Sequence, residues 1–123
     1  APLMTCDRLI KGFQKLQFNN VNSVFPIVAF GYPIYRSLKL DENGLVSMNW
    51  PENLNTRSQD LPKAFHDAGQ WYWIKTNSFL TSEKILGEKS YGLELNELEV
   101  QDIDNETDWK LAELKYELIQ SIK

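Results

Sequence analysis

Hydrophobic positions at the start of the chain recur at helical spacing: Leu9, Ile10, Phe13 and Leu16 share one side of a segment from Thr5 to Leu16. Thr5 supplies a cap and Asn19-Asn20 an exit, which predicts an amphipathic helix. From Ser23 to Phe30 the run is almost wholly apolar, as in a strand covered on both faces, with Pro26 placed where its missing N–H does no harm. Ile34 to Leu40 and Leu45 to Trp50 then flank Asp41-Glu42-Asn43-Gly44, and an Asn-Gly pair between two such runs predicts a β-hairpin.

Pro51 to Gly69 is polar and irregular, and a connection of that length in a compact domain is usually functional or disordered; here it is taken as functional. Gln70 to Lys75 reads as a short aromatic strand, with Trp71 and Trp73 on one face and Tyr72 on the other. Thr81-Ser82 should open a brief helix that Gly87 ends, and Leu93 to Asp104 should be extended. The last helix runs from Trp109 to Ile122. Its stripe of Trp109, Ala112, Tyr116 and Ile119 is widened by Leu111, Leu114, Leu118 and Ile122. Asn105 and Asp108 stand at its start, where the helix dipole favours them. Strands alternating with helices, plus one hairpin insertion, predict an α/β three-layer sandwich with a mainly parallel sheet.

Composition narrows the class. The 123 residues are 42% hydrophobic and 24% charged, an ordinary globular balance for one domain or part of one. A net charge of −4 and a pI near 5.0 argue against a nucleic-acid surface, which needs a basic face. No apolar run is long enough to span a membrane. The single Cys6 rules out an internal disulfide and a cysteine metal cluster, which fits a cytoplasmic protein; a packed small side chain is the expected role for it.

Candidate chemistry concentrates at Asp102-Ile103-Asp104, between the hydrophobic stretch ending at Val100 and the signal for the last helix. If this segment is extended, Ile103 takes one face and the two carboxylates share the other, an arrangement suited to a hard cation such as Mg²⁺. The competing role is structural, with Asp104 or Asn105 capping the helix.

Two further segments give these acids a context. Arg57-Ser58-Gln59-Asp60-Leu61-Pro62, then His66-Asp67-Ala68-Gly69-Gln70-Trp71-Tyr72-Trp73, then the Asp-Ile-Asp stretch opening an acidic helix with a Trp, together resemble the carboxyl-terminal half of the acylneuraminate (CMP-sialic acid synthetase) cytidylyltransferases. The pseudaminic acid cytidylyltransferases are the nearest branch, and the resemblance runs from Ala1-Pro2-Leu3-Met4-Thr5 to about Lys115. It implies a nucleotide-diphospho-sugar transferase-like fold and a reaction in which the anomeric hydroxyl of a nine-carbon 2-keto sugar acid attacks the α-phosphorus of CTP. The products would be the CMP-sugar and pyrophosphate, for cell-surface glycan or flagellin glycosylation.

The resemblance also implies roles. Asp102 and Asp104 match the acidic pair that holds Mg²⁺ at the catalytic centre, and Arg57 matches an arginine that helps to hold the sugar acid. Gln59 and His66 lie in the same matched stretch and could hydrogen-bond sugar hydroxyls or N-acyl groups; Tyr72 is the candidate for an aromatic that faces the sugar. A hairpin arm at about residues 32–54 coincides with the region that family members exchange between subunits, which implies a homodimer; Arg36 and Lys39 lie on it as surface charges or as contacts to the neighbour's site. The family's basic, glycine-containing CTP loop has no counterpart: the six glycines stand singly. The chain is therefore expected to be the second half of a cytidylyltransferase, inactive alone. Two alternatives stay open: a non-catalytic dimerising sugar-binding fragment, and a cytidylyltransferase for another sugar acid.

Overall fold

A computed structural model describes residues 1–122. In chain order the elements are α1 (Cys6–Phe18), β1 (Ser23–Ala29), β2 (Leu38–Leu40), β3 (Val46–Met48), β4 (Phe65–Asp67), β5 (Trp73–Ile74), α2 (Thr76–Ser82), β6 (Ser90–Leu95) and α3 (Glu106–Ile122). Single 3₁₀ turns occupy Ile34–Arg36, Pro51–Asn53, Ser58–Asp60 and Glu97–Glu99. The chain divides into two compact units, one made of Ala1–Val28 with the chain from Asp67 onward, the other of Ala29–His66.

The first unit is organised by β1. α1 begins as its sequence dictates: Thr5 is extended (φ −122°, ψ 150°) and its hydroxyl accepts from the Arg8 N–H at 3.4 Å, while Asn19 closes the helix on the Lys15 carbonyl. β1 pairs parallel with β6 from Ser23–Ser90 to Val28–Leu95, and antiparallel with β5 at Ser23–Ile74 and Val24–Trp73. Pro26 is fully buried in this strand. Its carbonyl accepts from the Ala68 N–H at 3.0 Å. Because a strand residue's N–H and C=O point to the same edge, the donor that Pro26 lacks faces Ala68 and the parallel ladder to β6 is spared.

One face of β1 carries the core. Val24 meets Leu16, Trp71 and Leu93, with Leu9, Val21, Trp73 and Tyr91 packed around them; further along, Val28 meets Ala68, Leu95 and Val100. α1 lies close on the tryptophans. A Cβ on Gly12 would fall 2.3 Å from the Trp71 ring, Phe13 packs on Trp73 at 4.9 Å between ring centroids, and the Trp73 indole N–H donates to the Leu9 carbonyl at 2.9 Å.

The second unit holds the predicted hairpin. β2 and β3 pair antiparallel from Leu38–Met48 to Leu40–Val46. Asp41 Oδ1 accepts from the Asn43 and Leu45 N–H groups, both at 2.9 Å, and Gly44 takes the positive φ (+82°) that the turn demands. Tyr35 stacks on Trp50 at 5.3 Å, and the Asn53 side-chain amide donates to the Tyr35 carbonyl. No residue of this unit is buried, and Leu38, Leu40, Leu45 and Val46 are all exposed.

Several expectations need correction. The fold is mixed α/β and forms no three-layer, mainly parallel sandwich: β1 has one parallel partner, β6, while the aromatic segment returns antiparallel and pairs over two residues only. Hydrophobic periodicity marks segments but carries no information on strand direction. The brief helix lies earlier than expected, at Thr76–Ser82, because the Thr81 and Ser82 hydroxyls bond back to the Asn77 and Ser78 carbonyls instead of capping a following turn. Glu83 then ends the helix in the left-handed region (φ 57°). The extended segment from Leu93 breaks at Leu95, where Asn96 and Glu99 form a capping box around the Glu97–Glu99 turn. Cys6 is a free, exposed thiol at the first position of α1, not a packed side chain.

Candidate functional site

The segment bearing Asp102 and Asp104 is pinned at both ends. Upstream, the Glu99 carboxylate accepts from Arg8 through both oxygens (Nε at 3.0 Å, Nη2 at 3.4 Å) and from the Asn96 N–H at 2.8 Å. The Gln70 side-chain amide donates to the Glu99 carbonyl and Lys115 Nζ to the Val100 carbonyl, each at 2.7 Å. Arg8 and Glu99 are partly buried, so this bidentate pair constrains more than a fully solvated surface pair does. Four separate parts of the sequence, in α1, the Gly69–Gln70 turn, the Glu97–Glu99 turn and α3, thus converge just before the acids.

Downstream, Asn105 Oδ1 accepts from the Asp108 N–H and Asp108 Oδ2 accepts from the Asp104 N–H, both at 2.9 Å. Asn105 is therefore the cap of α3, and Asp104 takes part through its backbone rather than its carboxylate. Between these anchors Gln101 to Asp104 is irregular rather than a strand, yet Asp102 and Asp104 are both exposed while Ile103 is half-buried. Ile103 lines an apolar pocket of about 280 Å³ with Pro2, Leu3, Trp109, Ala112 and Tyr116.

The donor set suits Mg²⁺. Asp102 and Asp104 offer hard oxygens, and neither is in an ion pair among the described residues. No group of three or more His, Cys, Asp or Glu among the described residues could hold a metal ion.

Tyr72 lies in the same unit. Its neighbours Trp71 and Trp73 turn towards α1, and Tyr72 takes the opposite side, 5.6 Å from the Phe25 ring. Its hydroxyl donates to Asp67 Oδ2 at 2.5 Å, and Asp67 Oδ1 accepts from the Gly69 N–H at 2.8 Å. The hydrogen bond to Asp67, with burial and the charge of Asp67 adding to it, pushes the Tyr72 pKa up to about 12. Sequence reasoning missed Asp67. The signal was present, since Asp-x-Gly is a local turn in which the side chain accepts from the backbone two residues on, and Gly69 has the positive φ (+70°) such turns use.

Arg57, Gln59 and His66 belong to the second unit. Arg57 precedes the Ser58–Asp60 turn and its Nε contacts Asp60 Oδ2 at 3.0 Å. Both side chains are well exposed, so the pairing contributes about 0–1 kcal/mol. Gln59 is exposed in the middle of the same turn. His66 is exposed, with its ring 4.9 Å from that of Phe30. On the hairpin side of this unit Arg36 is half-buried, and its Nε has no hydrogen-bond partner among the described residues, so it is not a simple surface charge.

Comparison with known proteins finds relatives that match most of this chain. No family model matches the chain. It is 35% identical to the pseudaminic acid cytidylyltransferase of Campylobacter jejuni serotype O:2 and 34% identical to that of serotype O:23/36, over 118 residues in each case, 96% of this chain and 51% of the relative. It is 41% identical over 104 residues, 84% of the chain, to a Helicobacter pylori protein named pseudaminic acid cytidylyltransferase and UDP-2,4-diacetamido-2,4,6-trideoxy-beta-L-altropyranose hydrolase, of which it covers 20%. Over nearly its whole length the chain is similar to proteins named pseudaminic acid cytidylyltransferase, and it spans about half the length of the Campylobacter relatives.

Proposed function

We propose that this chain is part of a cytoplasmic cytidylyltransferase that activates a nonulosonate, pseudaminic acid or a close relative, with CTP to give the CMP-sugar and pyrophosphate. The observation that carries the proposal is the 35% identity to a pseudaminic acid cytidylyltransferase across 96% of the chain, which includes the pinned Asp102-Ile103-Asp104 segment. Asp102 and Asp104 would hold Mg²⁺, which when bound neutralises phosphate charge during in-line displacement.

Every other part of the work falls to the protein as positioning. The Arg8–Glu99 pair and the Asn105 cap hold the acidic segment at a fixed place, so the cost of ordering it is met on folding rather than at each turnover. Arg57 would grip the sugar carboxylate by its guanidinium fork, exchanging Asp60 for the ligand. Gln59, His66 and Tyr72 would contact hydroxyl or N-acyl groups. The hairpin, with its apolar side chains exposed along both strands, would be covered by a second copy of the chain in a homodimer. No helix among the described residues is long and apolar enough to cross a membrane.

The test is pyrophosphate release by the full gene product containing this sequence, with CTP, Mg²⁺ and a panel of pseudaminic, legionaminic and N-acetylneuraminic acids. Release with one of them names the substrate. Folded protein that binds a sugar acid but releases no pyrophosphate would point instead to a non-catalytic sugar-binding role, and release with an eight-carbon sugar acid alone to a different cytidylyltransferase.

A further inference from the structure

The Asp67–Tyr72 pair fixes which way a hydrogen bond to the ligand must run. Asp67 uses both carboxylate oxygens, one on the Gly69 N–H and one on the Tyr72 hydroxyl. A phenol has one proton to donate, and at 2.5 Å from a carboxylate that proton is committed to a short, charge-assisted bond. What remains on the Tyr72 oxygen is acceptor capacity. The ring is steadied by Phe25, while Tyr72 itself stays about two-fifths exposed (42%), so the oxygen can meet a ligand without rearrangement.

We infer that Asp67 is a positioning residue which turns Tyr72 into an obligate hydrogen-bond acceptor, selecting a sugar-acid group that donates, an amide N–H or a hydroxyl. The inference rests on the cytidylyltransferase reading and adds to it a residue and a polarity. A ligand carboxylate or phosphate oxygen, which can only accept, meets repulsion at this point. The pair therefore discriminates between ends of the sugar: the acylamino or hydroxyl side approaches Tyr72, and the carboxylate has to be held elsewhere.

In the full gene product, Asp67→Ala should raise the KM for the sugar acid about threefold, because the phenol oxygen can still accept but is no longer oriented and committed to accepting, and leave the KM for CTP unchanged. Tyr72→Phe, which removes the acceptor itself, should raise it about tenfold, again with the KM for CTP unchanged. Because Asp67 acts through Tyr72, adding Asp67→Ala to Tyr72→Phe should change the sugar KM no further. Spectroscopic titration of the tyrosines gives a readout free of turnover: one should ionise near pH 12, disappear in Tyr72→Phe and return towards the ordinary range in Asp67→Ala. Full additivity in the double variant, a rise shared by sugar and CTP, or no high-pH tyrosine that Tyr72→Phe removes would each overturn the inference while the cytidylyltransferase stands. A wild type that turns over no sugar acid removes that reading, and this inference with it.

Discussion

Three side chains carry most of the proposed chemistry, and each can be questioned by itself. Asp104 has its backbone in the α3 cap and its carboxylate outside it, so Asp104→Asn should abolish Mg²⁺-dependent turnover and leave the thermal midpoint within about 0.5 kcal/mol of stability, as for other exposed substitutions. A loss of stability in step with activity would return Asp104 to a structural role. Arg57→Ala breaks only a solvated pair in this chain, so it should weaken the sugar acid much more than CTP; equal losses would mean that the Ser58–Asp60 turn had collapsed. Tyr72 predicts a pH dependence. Its folded pKa lies above the usual value of 10, so the stability it contributes is fully present below pH 10 and is lost as pH rises through about 12. The difference in thermal midpoint between wild type and Tyr72→Phe should shrink across that window, and a constant difference would contradict the pairing with Asp67.

How the elements meet decides where those side chains stand, and here the sequence was only partly legible. α1 was readable to within two residues because its cap, its stripe and its exit all agreed. The hairpin was readable from Asn43-Gly44, since the turn chemistry is local. The route from Leu95 to Asp104 was not: apolar and acidic residues there suggest an extended strand, but Asn96 and Glu99 close a capping box. The box has its own signature, an Asn followed three residues later by Glu, which hydrophobic periodicity overshadows. The partners of Glu99 and Val100, namely Arg8, Gln70 and Lys115, lie 91, 29 and 15 residues from them and leave no trace in local pattern. One element contact makes a clear prediction. Gly12→Ala would drive a methyl group into Trp71, and displacing that ring should cost about 1–3 kcal/mol in urea unfolding, whereas Ala on an exposed helix face would stabilise. A stabilised variant would show that α1 does not approach Trp71 so closely.

Taken whole, the chain has one unit with a core and one without. Val24, Trp71 and Leu93 give the first an interior, whereas the second offers a two-stranded hairpin with Leu40 and Val46 in solvent, an arrangement of marginal stability alone. The face of α3 is similarly open, with Trp109, Leu114 and Tyr116 more than half exposed. Periodicity puts Trp109 and Tyr116 in one stripe with Leu114 beside it, but cannot say what covers them. If a second copy covers the hairpin, changing Leu40 and Val46 together to Lys should convert a dimer to a monomer in light scattering, and an unchanged mass would exclude the hairpin as the interface. The central claim remains the reaction. Phosphorus-31 NMR of the full gene product with CTP, Mg²⁺ and pseudaminic acid tests it most directly. A CMP phosphodiester signal and pyrophosphate should rise together and stop when Mg²⁺ is chelated; unchanged CTP in the presence of folded protein and every nonulosonate in the panel would contradict the proposed reaction.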